Sequence, residues 1–147
     1  MEYLLEEGYA SQTDQIQTLF LKEGGFSIKV FEHSLKNRPG ILNCYAFDDG
    51  KLVGAKIGFS PRPQYFESWV GCVATEYHRQ GIATQLLQLQ HQWCTEKEFR
   101  YIETTTASDN IPMQLVNLKG GMKIIGTFLD RGDELKIKFQ KPLTASN

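Results

Sequence analysis

The succession of hydrophobic periods along the 147 residues predicts an α/β fold in which helices flank a mixed, mostly antiparallel sheet. Three observations lead there. Pairs of β-rich runs are separated by short turn-forming segments, which makes antiparallel neighbours. A strand, a glycine turn, a long amphipathic helix and another strand follow one another, which makes a crossover and one parallel pair. No fixed-period repeat, low-complexity tract or linker divides the chain, so a single domain over 1–147 is expected.

Taken in order, an N-terminal strand precedes a helix that Ser11 or Thr13 can cap, with Ile16, Leu19 and Phe20 on one face and Gly24-Gly25 as its stop. A second short helix is expected from about Lys29 to Lys36. Ile41 to Phe47 and Leu52 to Phe59 read as strands joined through Asp48-Asp49-Gly50, residue types that suit a tight hairpin. Pro61 and Pro63 interrupt the pattern, and Phe66 to Ala74 resumes it with Trp69, Val70 and Val73, before a loop at Thr75 to Gln80. Gly81 opens a helix whose apolar face is expected to carry Ile82, Leu86, Leu89 and Trp93, with Gln85, Gln88 and Gln92 elsewhere. Tyr101 to Thr106 is the next strand. Asn110 caps a helix that tolerates Pro112 in its first turn and stops at Gly120-Gly121. Met122 to Phe128 and Glu134 to Phe139 close the chain around Asp130-Arg131-Gly132-Asp133. The order is β-α-α-β-β-β-α-β-α-β-β, with the Phe66 and Tyr101 strands adjacent and parallel.

Composition narrows the function. With 16 basic and 17 acidic residues, the net charge of -1 lacks the positive field of a nucleic-acid binder. Hydrophobic residues at 41% and charged residues at 22% fit a soluble globular protein with no membrane partner. The start Met1-Glu2-Tyr3-Leu4-Leu5-Glu6-Glu7 has neither a basic beginning nor an apolar run, so a cytoplasmic location is expected. Cys44, Cys72 and Cys94 are widely spaced and are expected to be reduced, mostly buried thiols without metal. A nucleophilic role for one of them would need a histidine beside it, and the sequence pairs none with His33, His78 or His91.

The segment Val73-Ala74-Thr75-Glu76-Tyr77-His78-Arg79-Gln80-Gly81-Ile82-Ala83-Thr84 joins a strand to a helix. A helix start exposes unpaired N–H groups and a partial positive charge, and small residues there let a pyrophosphate approach the backbone. Gly81 and Ala83 provide the room, and Arg79 can add a charged contact. The same glycine also suits simple helix–sheet packing, while neither the three-glycine dinucleotide pattern nor a Walker loop is present. His78-Arg79-Gln80-Gly81-Ile82-Ala83 resembles motif A of the GNAT superfamily of N-acetyltransferases: Gln or Arg, two residues, Gly, one residue, Gly or Ala. It departs from that pattern at His78, although Arg79 follows directly. Asn110-Ile111-Pro112-Met113, with Asn117-Leu118-Lys119-Gly120-Gly121-Met122, is similar to the family's helix after the fifth strand.

The resemblance implies a sheet of about seven strands with helices on both faces, whose fourth and fifth strands are parallel and splayed. It implies acetyl-CoA as co-substrate, with backbone groups at Cys72 and Val73 on the pantetheine arm and His78, Arg79, Gln80, Gly81, Ile82, Ala83 and Thr84 around the pyrophosphate. Asn110 would add a polar contact besides its cap. An amine acceptor, a small molecule or a protein N-terminus or lysine, would attack the thioester directly in a ternary complex. Glu67 is the first choice of base, against an ordinary exposed strand-end carboxylate, and Glu103 is the second. Many family members use a tyrosine in the later helix to protonate the thiolate, and here Asn117 stands near that place, with Tyr77, Tyr101 or bulk water as substitutes. Tyr65, Phe66 and Trp69 line the acceptor cleft or simply pack the core. A non-catalytic acyl-CoA sensor is the alternative, and a homodimer is left open.

Overall fold

The computed structural model describes residues 1–24 and 38–143. In chain order these form β1 (Glu2–Glu7), α1 (Thr13–Gly24), β2 (Leu42–Asp48), β3 (Lys51–Arg62), β4 (Tyr65–Val73), a 3₁₀ turn (Thr75–Tyr77), α2 (Ile82–Glu96), β5 (Tyr101–Ala107), α3 (Ile111–Lys119), β6 (Lys123–Leu129) and β7 (Leu135–Pro142). All seven strands join one sheet in the order β1-β2-β3-β4-β5-β7-β6. Only β4 and β5 are parallel, so the crossover through α2 is where the sequence puts it. The helix expected at Lys29 to Lys36 lies outside the described residues.

Turn chemistry sets the strand ends. Asp48 pairs with Lys51, so Asp49-Gly50 is a two-residue hairpin loop. Both loop residues have positive φ, 49° and 80°, as a twist-matched I′ turn requires. Asp130 Oδ1 accepts from the N–H groups of Gly132 and Glu134 and folds the β6–β7 turn on itself. β3 runs past the expected stop at Phe59 to Arg62. Its pairing skips between Phe59 and Arg62, and Pro61, lacking an N–H, sits in that skip without costing a ladder bond. At the head of α1 the Thr13 hydroxyl donates back to the Ala10 carbonyl, and Ser11 gives its own N–H to Glu6 Oε1, so neither side chain is seen capping the helix.

Alternation along the strands divides the core in two. Leu42, Cys44 and Ala46 pack with Val53, Phe66, Ile82, Leu86, Cys94, Ile102 and Phe139 under α2, while Tyr45 and Phe47 join Ile16, Leu19, Phe20 and Ile57 under α1. Helices therefore cover both faces. The buried stripe of α2 differs from the expected one: it comprises Ile82, Leu86, Leu87, Gln90, His91 and Cys94, with Leu89 and Trp93 only partly covered. A helix lying across several strands needs a stripe wider than one residue, and polar Gln90 and His91 fall inside it.

The β4–β5 ladder lasts only three rungs, Tyr65–Tyr101, Phe66–Ile102 and Glu67–Glu103. Past them β4 stays with β3 as far as Val73, and β5 stays with β7 as far as Ala107, so the sheet opens into a V. A bulge begins the divergence: Gly58 pairs with Ser68 but Ile57 pairs with Val70, which leaves Trp69 as the extra residue and bends β4. At the crotch the Thr104 hydroxyl donates to the Ser68 carbonyl at 2.8 Å, a side chain replacing the lost rung. Gly58 makes the bend close-packed, since a Cβ there would stand 2.3 Å from Phe66 Cε2 and 2.5 Å from the Glu67 carbonyl oxygen. Overpacking of this kind typically costs about 1–3 kcal/mol. Gly58→Ala is accordingly expected to lower the melting temperature by about 3 °C or more, and an unchanged calorimetric melt would show that the bend does not depend on this contact.

Candidate active site in the cleft between the fourth and fifth strands

The helix start at the open end of the V is built for an anion. Gly81 precedes α2 with φ 80°, and among the described residues no side chain caps the helix and no backbone bond engages the N–H groups of Ile82, Ala83 or Thr84. A Cβ on Gly81 would meet nothing within 4 Å. The glycine is therefore not there to let the helix approach the sheet; it provides a left-handed φ and leaves space over free N–H groups. The preceding loop is pinned from three sides. Thr75 donates through its hydroxyl and its N–H to Glu23 of α1, and Lys22 pairs with Glu76 at 3.2 Å. The Tyr77 hydroxyl donates to Asp48 Oδ2 at 2.6 Å, and His78 Nε2 meets the Val73 carbonyl at 2.7 Å. His78 thus spends one ring nitrogen on the loop, whereas the side chains of Arg79, exposed with φ 65°, and Gln80 make no hydrogen bond or ion pair among the described residues. Tyr77, bound to Asp48, is no free proton donor, and that bond raises its phenol above the ordinary value.

Along the V, β4 from Gly71 to Val73 pairs with β3 alone, so alternate backbone groups on its other edge face the opening; the Val73 N–H is among them, while the Val73 carbonyl meets His78 Nε2 and Cys72 turns its backbone to β3. Across the opening Asn110 caps α3, its Oδ1 accepting from the Met113 N–H at 3.2 Å, with Pro112 in the first turn. The two carboxylates stand side by side on the last rung, on the face that also carries Tyr65, Trp69 and Tyr101. They are not equivalent. Glu103 accepts from Gln140 Nε2 at 2.7 Å and pairs with Lys138 at 3.5 Å, its side chain 16% exposed. Glu67, half-buried, has neither hydrogen bond nor ion pair among the described residues. Of the aromatic residues, Phe66 is fully buried against Trp93 and Phe99 and is core. Tyr65 stacks on Tyr101 and Trp69 meets Phe59 edge-on, so these remain beside Glu67.

A helix start with free N–H groups at the carboxyl end of a split parallel pair can be compared with known proteins. The model of the acetyltransferase (GNAT) family matches residues 5–116. The chain belongs to the GNAT acetyltransferase family. Members of this family are acetyl-CoA-dependent transferases. The fold is that of the ribosomal-protein-S18-alanine N-acetyltransferase from Escherichia coli, at TM-score 0.84 and 14% identity over 99% of this chain and 97% of that one. It is also that of a Bacillus subtilis acetyltransferase in complex with CoA, at 0.74 and 18% over 97% and 99%. An aminoglycoside 6′-N-acetyltransferase complexed with coenzyme A gives 0.77 and 15% over 98% and 99%. No curated protein matches the sequence.

In this GNAT chain Asn117 is wholly buried, and its Nδ2 donates to Thr106 Oγ1 at 3.1 Å across to β5. Among the described residues the three cysteines are free; burial pushes Cys44 and Cys72 up to about 12 and raises Cys94 as well, so none is a ready nucleophile. No group of three or more His, Cys, Asp or Glu able to hold a metal occurs among them, and no helix there is long and apolar enough to cross a membrane. Sequence reading missed Lys56, which lies 7% exposed on the central strand β3, and missed Gln90 and His91 above the sheet. His91 lines a depression of about 290 Å³ with Gly120 and Lys141, and its Nδ1 faces Lys141 Nζ at 3.3 Å.

Burial, and then the nearby charges of Lys141 and Lys56, hold the His91 imidazole down at about 3. It is neutral in the fold, while in the unfolded chain it gains a proton near its ordinary value of about 6.5. Its contribution to stability is complete above pH 6.5 and declines as the pH falls toward 3, by up to about 1.4 kcal/mol per unit. Urea melts of wild type are expected to weaken between pH 6.5 and 5, and His91→Gln to lose that slope; equal slopes would count against a neutral buried imidazole.

Proposed function

We propose that the protein transfers the acetyl group of acetyl-CoA to an amine by direct attack within a ternary complex. The observation that carries this reading is the uncapped start of α2, where Gly81 opens space over free N–H groups at the end of the strand edge left unpaired by the V. The pyrophosphate takes the turn from His78 through Arg79, Gln80, Gly81, Ile82 and Ala83 to Thr84. The pantetheine arm, which carries amides of its own, completes the unpaired edge at Val73, and a backbone N–H there meets the oxyanion as the carbonyl is attacked. Asn110 adds a polar contact where its amide is not engaged in the cap.

The acceptor arrives on the face carrying the carboxylates. An amine is an ammonium ion at neutral pH and must lose a proton before its nitrogen can attack, directly or through a water. Glu67 takes that proton, because its carboxylate is uncommitted, while Lys138 and Gln140 occupy that of Glu103. The nitrogen bonds to the carbonyl carbon, the C–S bond breaks, and coenzyme A leaves as thiolate. Two of the structural relatives act, by name, on an alanine of ribosomal protein S18 and on an aminoglycoside, so this scaffold suits both small and macromolecular amines. We infer one domain over residues 1–147, working in the cytoplasm.

Acetyl-CoA at about 100 times its Kd is expected to add roughly 2.7 kcal/mol to the stability of the folded state. Gly81→Ala should keep the fold at a cost of about 1–2 kcal/mol for its left-handed φ, and lose binding about tenfold or more in calorimetry. A folded variant that binds acetyl-CoA as tightly as wild type sinks the turn as the phosphate site. With an amine found by screening a panel against acetyl-CoA, Glu67→Gln is expected to lower kcat about 100-fold with acetyl-CoA binding intact. Glu103→Gln should act chiefly on stability, and if it alone slows turnover, the roles of the two carboxylates are reversed.

A further inference from the structure

Lys56 sits at the centre of β3, between Cys44 on β2 and Gly71 on β4, and is 7% exposed. A lysine enclosed in this way is normally paired. Lys56 makes no ion pair or hydrogen bond among the described residues. Its stem leans on β4, since Cγ lies in van der Waals contact, 3.4 Å, with the point where a Gly71 Cβ would be. Gly71 therefore leaves a path across the very strand whose far edge opens into the V.

The helix above is polar at the same level. Ile82 Cγ2 and Leu86 Cδ1 lie 3.1 and 3.3 Å from the Cβ position of Gly54. One helical turn along α2 and two residues along β3, both steps of about 6 Å, bring Gln90 over Lys56. Gln90 is wholly buried, and neither its Nε2 nor its Oε1 has a partner among the described residues. The titratable groups around the ammonium among the described residues are Cys44 from β2 and His91 and Cys94 from α2, with Lys141 behind His91; Gly71 brings none from β4. All three facing groups are neutral between pH 6 and 8, so the site holds a cation with no anion.

We propose that Lys56 supplies the proton to the departing coenzyme A thiolate and holds that sulfur by charge. The proposal rests on the acetyl-transfer reading above. As the C–S bond breaks, its electron pair goes to sulfur, and sulfur takes a proton from Nζ to leave as a thiol. The amine of Lys56 then regains a proton from water, balancing the one the acceptor lost. Burial holds Lys56 down at about 8, close to an ordinary thiol, which is where an acid for this leaving group works best. It also accounts for a chain in which Asn117 is buried against Thr106 and Tyr77 is committed to Asp48.

The test uses coenzyme A itself on wild type and on Lys56→Met, which keeps length and removes charge, with Lys56→Gln as a second variant should Met fail to fold. The far-ultraviolet absorbance of the thiolate, taken as a difference with and without coenzyme A, follows the bound thiol against pH. In wild type the bound thiol is expected to titrate about one pH unit or more below free coenzyme A, and in the folded variant that shift should vanish, with Kd little changed at pH values below the titration, where the thiol is neutral in both. With an accepted amine, kcat of wild type should fall above about pH 8, as the acid loses its proton. The variant should lack that limb and be about tenfold slower or more. A bound thiol that titrates alike in wild type and variant overturns the role of Lys56 alone. A wild type that binds no coenzyme A overturns the acetyl-transfer reading, and the proposal with it.

Discussion

Between β4 and β5 the backbone ladder closes three rungs and then gives way to a single side-chain bond, Thr104 to the Ser68 carbonyl, and the functional geometry follows from that interruption. A parallel pair continued to Val73 would satisfy the backbone groups that Val73 turns to the opening and leave nothing for a ligand amide to complete. Stopping it exposes polar groups that a folded chain ordinarily pairs, and it is tolerable because each strand keeps its other neighbour. The bend is held from below by Gly58 against Phe66, and by the Phe66, Trp93 and Phe99 ring cluster, which anchors the closed end while the far end stays open.

The open end is fixed by independent attachments. α1 reaches the loop through Glu23 and Lys22, the β2–β3 hairpin through Asp48, and β4 through the bond from His78 to its own Val73. These tethers leave the first N–H groups of α2 free. A loop held by its side chains can keep its backbone available, which is the division of labour an anion site at a helix start needs. His78 illustrates the cost of reading a motif letter by letter: its place in the turn suggests a ligand contact, yet one nitrogen is used to shape the loop.

Much of this was legible in the sequence because turns and caps are local. Asp49-Gly50, Asp130, Asn110 and Gly81 act within a few residues of themselves, and each was assigned the bend or helix end it makes. What depended on distant partners was not legible. Whether Pro61 ends a strand depends on how β3 pairs with β4 there, and Ser60 and Pro61 together stand opposite Phe66 as a bulge in β3. The two carboxylates could be ranked only roughly, because Lys138 and Gln140, which separate their roles, lie some 35 residues beyond Glu103. The face of α2 was read as narrower than it is, since a helix spanning three strands buries residues such as His91 that a single apolar stripe leaves out. Lys56 gave a signal that was passed over: a lysine inside the run Leu52-Val53-Gly54-Ala55-Lys56-Ile57-Gly58-Phe59, where a strand buried on both faces has no solvent side for it.

That lysine separates two ways of stabilising a thiolate. A phenol can donate a hydrogen bond without carrying charge and is cheap to bury, whereas an ammonium loses its hydration in the fold and recovers the loss only when an anion arrives. Selection for stability alone would place methionine or leucine at this point of β3, as it has placed Val53, Ala55 and Ile57 around it. Retaining an unpaired cation there destabilises the empty protein and favours the state in which the sulfur is negative. Because thioester and thiol are neutral and only the departing thiolate carries charge, the interaction strengthens along the reaction and weakens again when the proton has moved. Binding of substrate gains little from it and the step of bond cleavage gains most, which is the condition for a contact to raise kcat rather than merely to lower KM.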